Sequence, residues 1–497
     1  MRKLCFICLV CIFQTILFAQ DYNIIDFGAI PDGKTLSTAQ IQSAIEAAHE
    51  NGGGRVIVPA GYFLSGSIIM KSGVELHLQK AAVLLGSTNP DHYIKLNRWK
   101  ALVMADDQNN IAITGVGEID GQGRQLALHI DSLFYAGIID SADYNFVEMR
   151  PKYYLRPQLI EFVQCKNIQV RNVTLKNAAC WVQTHHECEN IIIDSVRTES
   201  DAYWNNDGID IQDCKNVRIT NCYVNSADDG ICLKSHSSDY SCDSIYIANC
   251  TVRSSASAIK FGTRSHGGFK NVVIENIKVY DTFRSAIAIE CVDGGALDNV
   301  LIHNIHAENT GNAIFIRLGK RHTKTPGTLK NVTIKNIKVQ VPLERPDYAY
   351  EVRGPALPFF HNTFPSSITG IPGHPVENVT LENIDIVYPG RGNTGLAHMP
   401  VSRLNRVPEQ EAAYPEFSMF GELPSWGFYI RHMDGLTMKN IKLSIEAPDY
   451  RPAIVFDDVR NLSIQSIIIQ GDTKQKHFVL HNTVNAKIAN MKAVLKK

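Results

Sequence analysis

The chain has no surplus of charge of either sign. Its 497 residues carry 49 Lys and Arg against 50 Asp and Glu, a formal charge of −1. That balance excludes a nucleic-acid binder held by bulk positive charge, so a charged ligand must be met by local placement of side chains. Beyond the first twenty residues no apolar run is long enough to cross a bilayer, and membrane insertion is not expected. Outside that same stretch no Cys-x-x-Cys pair occurs, which removes the zinc knuckle and the thioredoxin-like site. Helical periodicity is scarce as well, with no helix of crossover length between the strand-like segments.

What is present begins with a basic start, Arg2 and Lys3, followed by an apolar run from Leu4 to Phe18 and then Ala19-Gln20. This reads as a cleaved secretory signal over residues 1–19, predicting a secreted or periplasmic protein. The remaining 20–497 is expected to form one domain. Apolar residues make up 44% and charged ones 20%, enough for a large core. Of twelve cysteines, Cys5, Cys8 and Cys11 fall in the signal. The other nine read mostly as small apolar fillers of a repetitive interior.

A phrase recurs: a polar turn, an Asn, then alternating β-branched residues. It appears at Asn110, Asn167, Asn190, Asn216, Ser244, Asn271, Asn299, Asn331, Asn378 and Asn461, with intervals of 23–32 residues between 167 and 331. Period-two alternation buries one face of each short strand, and only stacked copies close a core. The period predicts a single-stranded right-handed parallel β-helix. Asn at a repeated turn suits it, because Asn tolerates left-handed backbone and its amides can form a ladder. The Asn-Val-Thr triplets match glycosylation sequons, but the repeat accounts for them.

A capping box at Ser37–Gln40 and an apolar stripe of Ile41, Ala44, Ile45 and Ala48 predict a short helix stopped by Gly52-Gly53-Gly54. It would plug the open end of the stack. Departures from the period near 122–157, 340–376 and 388–428 read as ordered loops beside a groove.

Within the coils a second alignment stands out. Asp207-Gly208-Ile209-Asp210-Ile211-Gln212 matches Asp229-Gly230-Ile231-Cys232-Leu233-Lys234, then the segments starting at Ser257, Ser285 and Asn312, with Gly427 and Ala453 as later members. Asp207 and Asp229 should therefore sit on adjacent rungs about 4.8 Å apart, beside Asp228. Three carboxylates so close repel, which should hold a proton near neutral pH, as glycosidic cleavage requires. Asp-Gly is also a common turn pair, yet two in register, flanked by Asn205 and Asn206, point beyond a turn.

Asn205-Asn206-Asp207-Gly208 followed by Asp228-Asp229-Gly230 resembles glycoside hydrolase family 28, the polygalacturonase family, and Asp26-Phe27-Gly28-Ala29 with Gly53–Gly61 resembles the start of such enzymes. The resemblance implies a pectin-lyase-like β-helix and an inverting hydrolase of pectic poly- or oligosaccharides, a monomer needing no metal or other cofactor. By motif, Asp228 is the general acid, and Asp207 and Asp229 activate water. The family's Gly-His-Gly falls on Ala256-Ser257-Ala258, and its Arg-x-Lys, which holds the uronate carboxylate, on Ala288-Ile289-Glu290. His266 lies past the strand, in a turn, and is read as a decoy. Lys234, Lys260 and Arg317 stand in the same columns, either as a relocated carboxylate clamp or as neutralisers of acids such as Glu290. These departures favour a rhamnogalacturonan or related exo-acting enzyme over a homogalacturonan endo-enzyme. Trp204 and Tyr203 are the first candidates for stacking on sugar, with Trp181, Tyr414 and Trp426 behind them. Two rivals remain: a β-helix polysaccharide lyase using calcium and a Lys or Arg base, and a non-catalytic glycan-binding scaffold.

Overall fold

The structure is a computed structural model, and it describes residues 20–346, 350, 364–392, 399–471 and 477–494. The expected signal, 1–19, lies outside the described residues.

The chain winds into coils with three strand faces. One coil runs through Lys166–Arg171, Thr174–Lys176 and Gln183–His186, and the next through Glu189–Asp194, Arg197–Ser200 and Ile209–Gln212. Each strand pairs in parallel with its counterpart one coil on, so that Ile168 stands opposite Ile191 and Ile191 opposite Val217. The inward residues stack as columns of like side chains, and the result is a right-handed parallel β-helix.

The recurring Asn makes the corner. Asn110, Asn167, Asn190, Asn216, Asn271, Asn299, Asn331, Asn378 and Asn461 all have φ between 52 and 59°. Their amides form a ladder: Asn167 donates to Asn110 at 2.9 Å, Asn190 to Asn167 at 3.0 Å and Asn216 to Asn190 at 2.6 Å. Ser244 interrupts it, and Asp243 accepts from Asn271 instead. A second ladder runs through Asn249, Asn276, Asn304, Asn336, Asn383 and Asn440.

The nine described cysteines are all free and buried. Cys165, Cys188 and Cys214 stack on successive coils, each thiol sulfur accepting the backbone N–H of the cysteine before it. Burial pushes the Cys232 and Cys242 thiols well up, so they pack as neutral fillers.

The N-terminal helix, α1 (Thr38–Glu50), buries Ile41, Ala44, Ile45 and Ala48 against the first coils. Its expected capping box is not formed. Ser37 accepts from the Ile30 amide and donates to Thr35 O, with no side-chain cap on the helix. Two further expectations need correction. Residues 122–157 contain a second helix, α2 (Gly123–Tyr135), and an antiparallel pair, Tyr144–Asn145 with Arg150–Pro151. Ser366–Thr369, within the supposed loop 340–376, is a rung of the stack: Ser367 pairs with Phe315 on one side and Tyr429 on the other. Residues 347–349, 351–363 and 393–398 of these insertions lie outside the described residues.

The described part of 388–428 folds over the outer surface of the later coils. Leu404, Val407, Phe417, Phe420 and Leu423 bury themselves against Ala288, Phe315, Tyr429 and Val455. This segment thus covers that outer face from Ala288 onward.

Candidate functional site

The earlier part of the third face is built from β1 (Gln183–His186), β2 (Ile209–Gln212), β3 (Ile231–Ser235) and β4 (Ile259–Ser265). Ile209 pairs with Ile231 and Ile231 with Ile259; Asp210 stands opposite Cys232, and Cys232 opposite Lys260. The turn entering each strand stays in the same register. Gly208 donates to Asp229 O at 2.9 Å and Gly230 to Ser257 O at 2.8 Å. Neither glycine serves a left-handed turn. A Cβ on Gly208 would come within 2.4 Å of Val224 Cγ1, and one on Gly230 within 2.4 Å of Val252 Cγ1, so close stacking of the turns demands them. Asn206, fully buried, fixes the first turn by accepting from Ser200 Oγ and donating to Cys180 O.

Over these turns lies a cavity of about 440 Å³, and Asp207, Asp228, Asp229, Asn205, Lys234 and Lys260 all line it. The sequence alignment thus brings its three carboxylates together. Carboxylate oxygens of Asp207 and Asp229 come within 4.8 Å of each other and of Cys232 Sγ. Their cations are divided unequally. Lys234 Nζ sits 2.7 Å from Asp207 Oδ2 and 2.9 Å from Asp210 Oδ2. Lys260 Nζ sits 3.0 Å from Asp229 Oδ2 and 3.9 Å from Glu290 Oε2. Asp228 forms no ion pair among the described residues; its Oδ2 meets Asn205 Nδ2 at 3.4 Å and its Oδ1 accepts the Asp229 amide at 3.0 Å.

Burial, reinforced by the charges of Asp207 and Asp229, pushes Asp228 up to about 7. Burial also raises Asp207 to about 7 against the pull of Lys234. Asp229 goes the other way: burial opposes its charge, but Lys260, Lys234 and Arg284 together hold its carboxyl below the usual range. Near neutrality the trio therefore retains a proton, and the lysine contacts on Asp207 and Asp229 direct it to Asp228. The same contacts leave Asp207, Asp229 and Cys232 unsuited to a metal ion, since two ammonium groups already hold the carboxylates a cation would need.

Several expected ligands are elsewhere. Arg317 is buried and does not line the cavity: it donates to Gly370 O, Glu409 O and Gln410 O, fastening the covering loop. Glu290 is buried beneath Lys260, with Thr263 Oγ1 donating to it at 3.3 Å. Trp204 packs on the core with the Arg150 guanidinium 5.0 Å from its ring, and Tyr203 and Trp426 are buried in that core. None of the three faces the cavity. The lining aromatics are Trp99, Tyr153, Trp181 and Tyr414. The first three touch one another at centroid distances of 5.4–6.0 Å beside Lys234, whereas Tyr414 accepts from Lys260 Nζ at 3.3 Å. His266 lies in a bend outside the cavity lining.

Sequence reasoning missed Arg156, Asp210, Arg98 and Arg264. Arg156, from the 122–157 insertion, donates to Ala179 O and Trp204 O and holds Asn205 Oδ1 at 2.6 Å, which orients the Asn205 amide toward Asp228. No repeat marks an insertion residue, so only the structure reveals it. Asp210 was legible, since it occupies an outward column position opposite Cys232.

Similarity to known proteins agrees with this geometry. The sequence profile of glycosyl hydrolases family 28 matches residues 50–353, more than half of the chain. A probable polygalacturonase of Vitis vinifera is 28% identical over 320 residues, covering 61% of this chain and 57% of that protein. An exo-poly-alpha-D-galacturonosidase of Dickeya chrysanthemi is 25% identical over 429 residues, 73% of this chain and 71% of the relative. Among solved structures, an exopolygalacturonase of Thermotoga maritima superposes with a TM-score of 0.59 at 25% identity, covering 74% of this chain and 87% of that one. The family 28 exopolygalacturonase of Yersinia enterocolitica, at 21% identity, shares the fold over 95% of this chain and 79% of its own, with a TM-score of 0.63. With the profile spanning most of the coils and the carboxylates gathered at one cavity, the chain belongs to glycosyl hydrolases family 28.

Proposed function

We propose that the protein is an exported hydrolase that cleaves α-linked galacturonate in pectic poly- or oligosaccharides, by inversion and from a chain end. The observation that carries this reading is the trio itself: three carboxylates on adjacent coils in one cavity, two paired with lysines and one, Asp228, in no ion pair among the described residues. Asp228 gives its proton to the glycosidic oxygen as the bond from that oxygen to the anomeric carbon breaks. A water beside Asp207 and Asp229 attacks the anomeric carbon from the opposite face and yields its proton to a carboxylate. Asp228 then regains a proton from solvent.

Chain-end action is supported by the loop over the later coils, which stops the groove at Tyr414. Inversion draws its support from family membership, since carboxylates on neighbouring coils stand closer than the roughly 6.5–9.5 Å usual for that outcome. Export is supported by the basic start and apolar run at the N-terminus. The missing family cations at Ala288 and Glu290 favour a substrate other than plain homogalacturonan, with rhamnogalacturonan first among the candidates.

The lyase alternative is weakened by Lys260. Burial acts against its charge, but Asp229 and Glu290 hold its proton far more firmly than usual, which makes it a poor base. Mass spectrometry of products from a panel of pectic fractions tests the proposal. Saturated galacturonate-containing products that vanish in D228N are expected. Unsaturated products, or no cleavage of any fraction, overturn it, and proton NMR of the first-released anomer tests inversion.

A further inference from the structure

The family's cationic clamp cannot operate at its usual place in this chain. Ala288 is sealed under Phe417 and Phe420, and Glu290 carries the wrong charge and is buried. The cavity nevertheless has two guanidinium groups that close no ion pair among the described residues, although the charges of Glu161, Asp213, Glu187 and Asp210 act on Arg98. Arg98 is half-buried in its lining, donates to Gln212 Oε1 at 2.8 Å, lies 5.8 Å from the Trp99 ring, and forms no ion pair among the described residues. Arg264, at the end of β4, is exposed to the same cavity and makes neither an ion pair nor a side-chain hydrogen bond among the described residues. His236, on which both guanidinium charges act, lines the same cavity with its Nε2 buried and without a partner. Gln212, the anchor of Arg98, pairs in register with Lys234, whose ammonium holds Asp207 and Asp210, so this basic wall adjoins the carboxylate cluster.

A desolvated guanidinium with one of five donors used is an incomplete site, and a planar anion completes it through paired charge-assisted bonds. We propose that Arg98 and Arg264, with His236, form the carboxylate-recognition site of this enzyme, reading the acid group of a uronate bound against Trp99, Tyr153 and Trp181. This deepens the functional reading above and rests on it for the identity of the sugar. The clamp has moved from the covered later coils to the earlier ones that line the cavity.

The test compares oligogalacturonate with its carboxyl-reduced counterpart in R98Q, R264Q and the double variant, with R98K in case R98Q folds poorly. Each single change is expected to raise KM for the acidic substrate by about tenfold or more, and to leave the reduced substrate unaffected, so that the double variant loses its preference. R98K keeps the charge but loses the fork and should fall between. Acidic-substrate KM values that do not change while Asp228-dependent cleavage persists overturn the clamp and leave the function standing. If no pectic fraction, rhamnogalacturonan included, is cleaved at all, the function falls, and calorimetric binding of oligogalacturonate to D228N decides the clamp. Binding that the double change abolishes supports it; absent or unchanged binding overturns it.

Discussion

At the scale of single residues, each base carboxylate is paired with a lysine and the acid is not. Asp228 is the member without an ion pair among the described residues, and D228N removes the proton donor while keeping the acceptor for the Asp229 amide. A fall in kcat of about 10²–10⁴-fold is expected, measured by release of reducing ends. Lys260 has a different signature. It holds Asp229 ionised, so K260M lets that pKa rise, and the acidic limb of the kcat/KM profile should move to higher pH by about one unit or more. A limb that stays in place would show that Asp229 is not the group whose ionisation limits the rate.

At the scale of the element, the corner decides. Asn299 combines φ of 57° with a ladder bond to Asn271 at 2.8 Å. Asn299→Ala loses the bond and retains the strained backbone, a destabilisation of about 1–2 kcal/mol visible as a lower midpoint in urea. The coils and the carboxylate register were readable from the sequence because each rung repeats the same alternation, and a column position carries its own orientation. The stack rung Ser366–Thr369 was hidden because its phrase, Ser-Ser-Ile-Thr, is short and preceded by a long insertion. Arg317 misled for a related reason. A column tells which way a side chain leaves the sheet, but not that a distant loop lies on top and takes its donors. Trp204 misled because proximity along the chain to Asp207 says nothing about which side of the turn its ring occupies.

At the scale of the whole molecule, the site works against the fold. Asp228 has a folded-state pKa near 7, above its unfolded value of about 3.9, so the folded protein binds that proton more tightly. The linkage lowers stability as pH rises from about 4 through about 7. D228N removes it. The variant should be more stable than the parent by about 2 kcal/mol at pH 8, allowing for solvent in the cavity, and indistinguishable near pH 4. Thermal melts at the two pH values check the sign.

The thiol column has a consequence for handling the protein. Cysteines shielded inside intact coils are inert, but a melted chain in air would expose the nine described ones at once and let mismatched pairs lock before winding restarts. Recovery after heating should therefore depend strongly on whether dithiothreitol is in the tube.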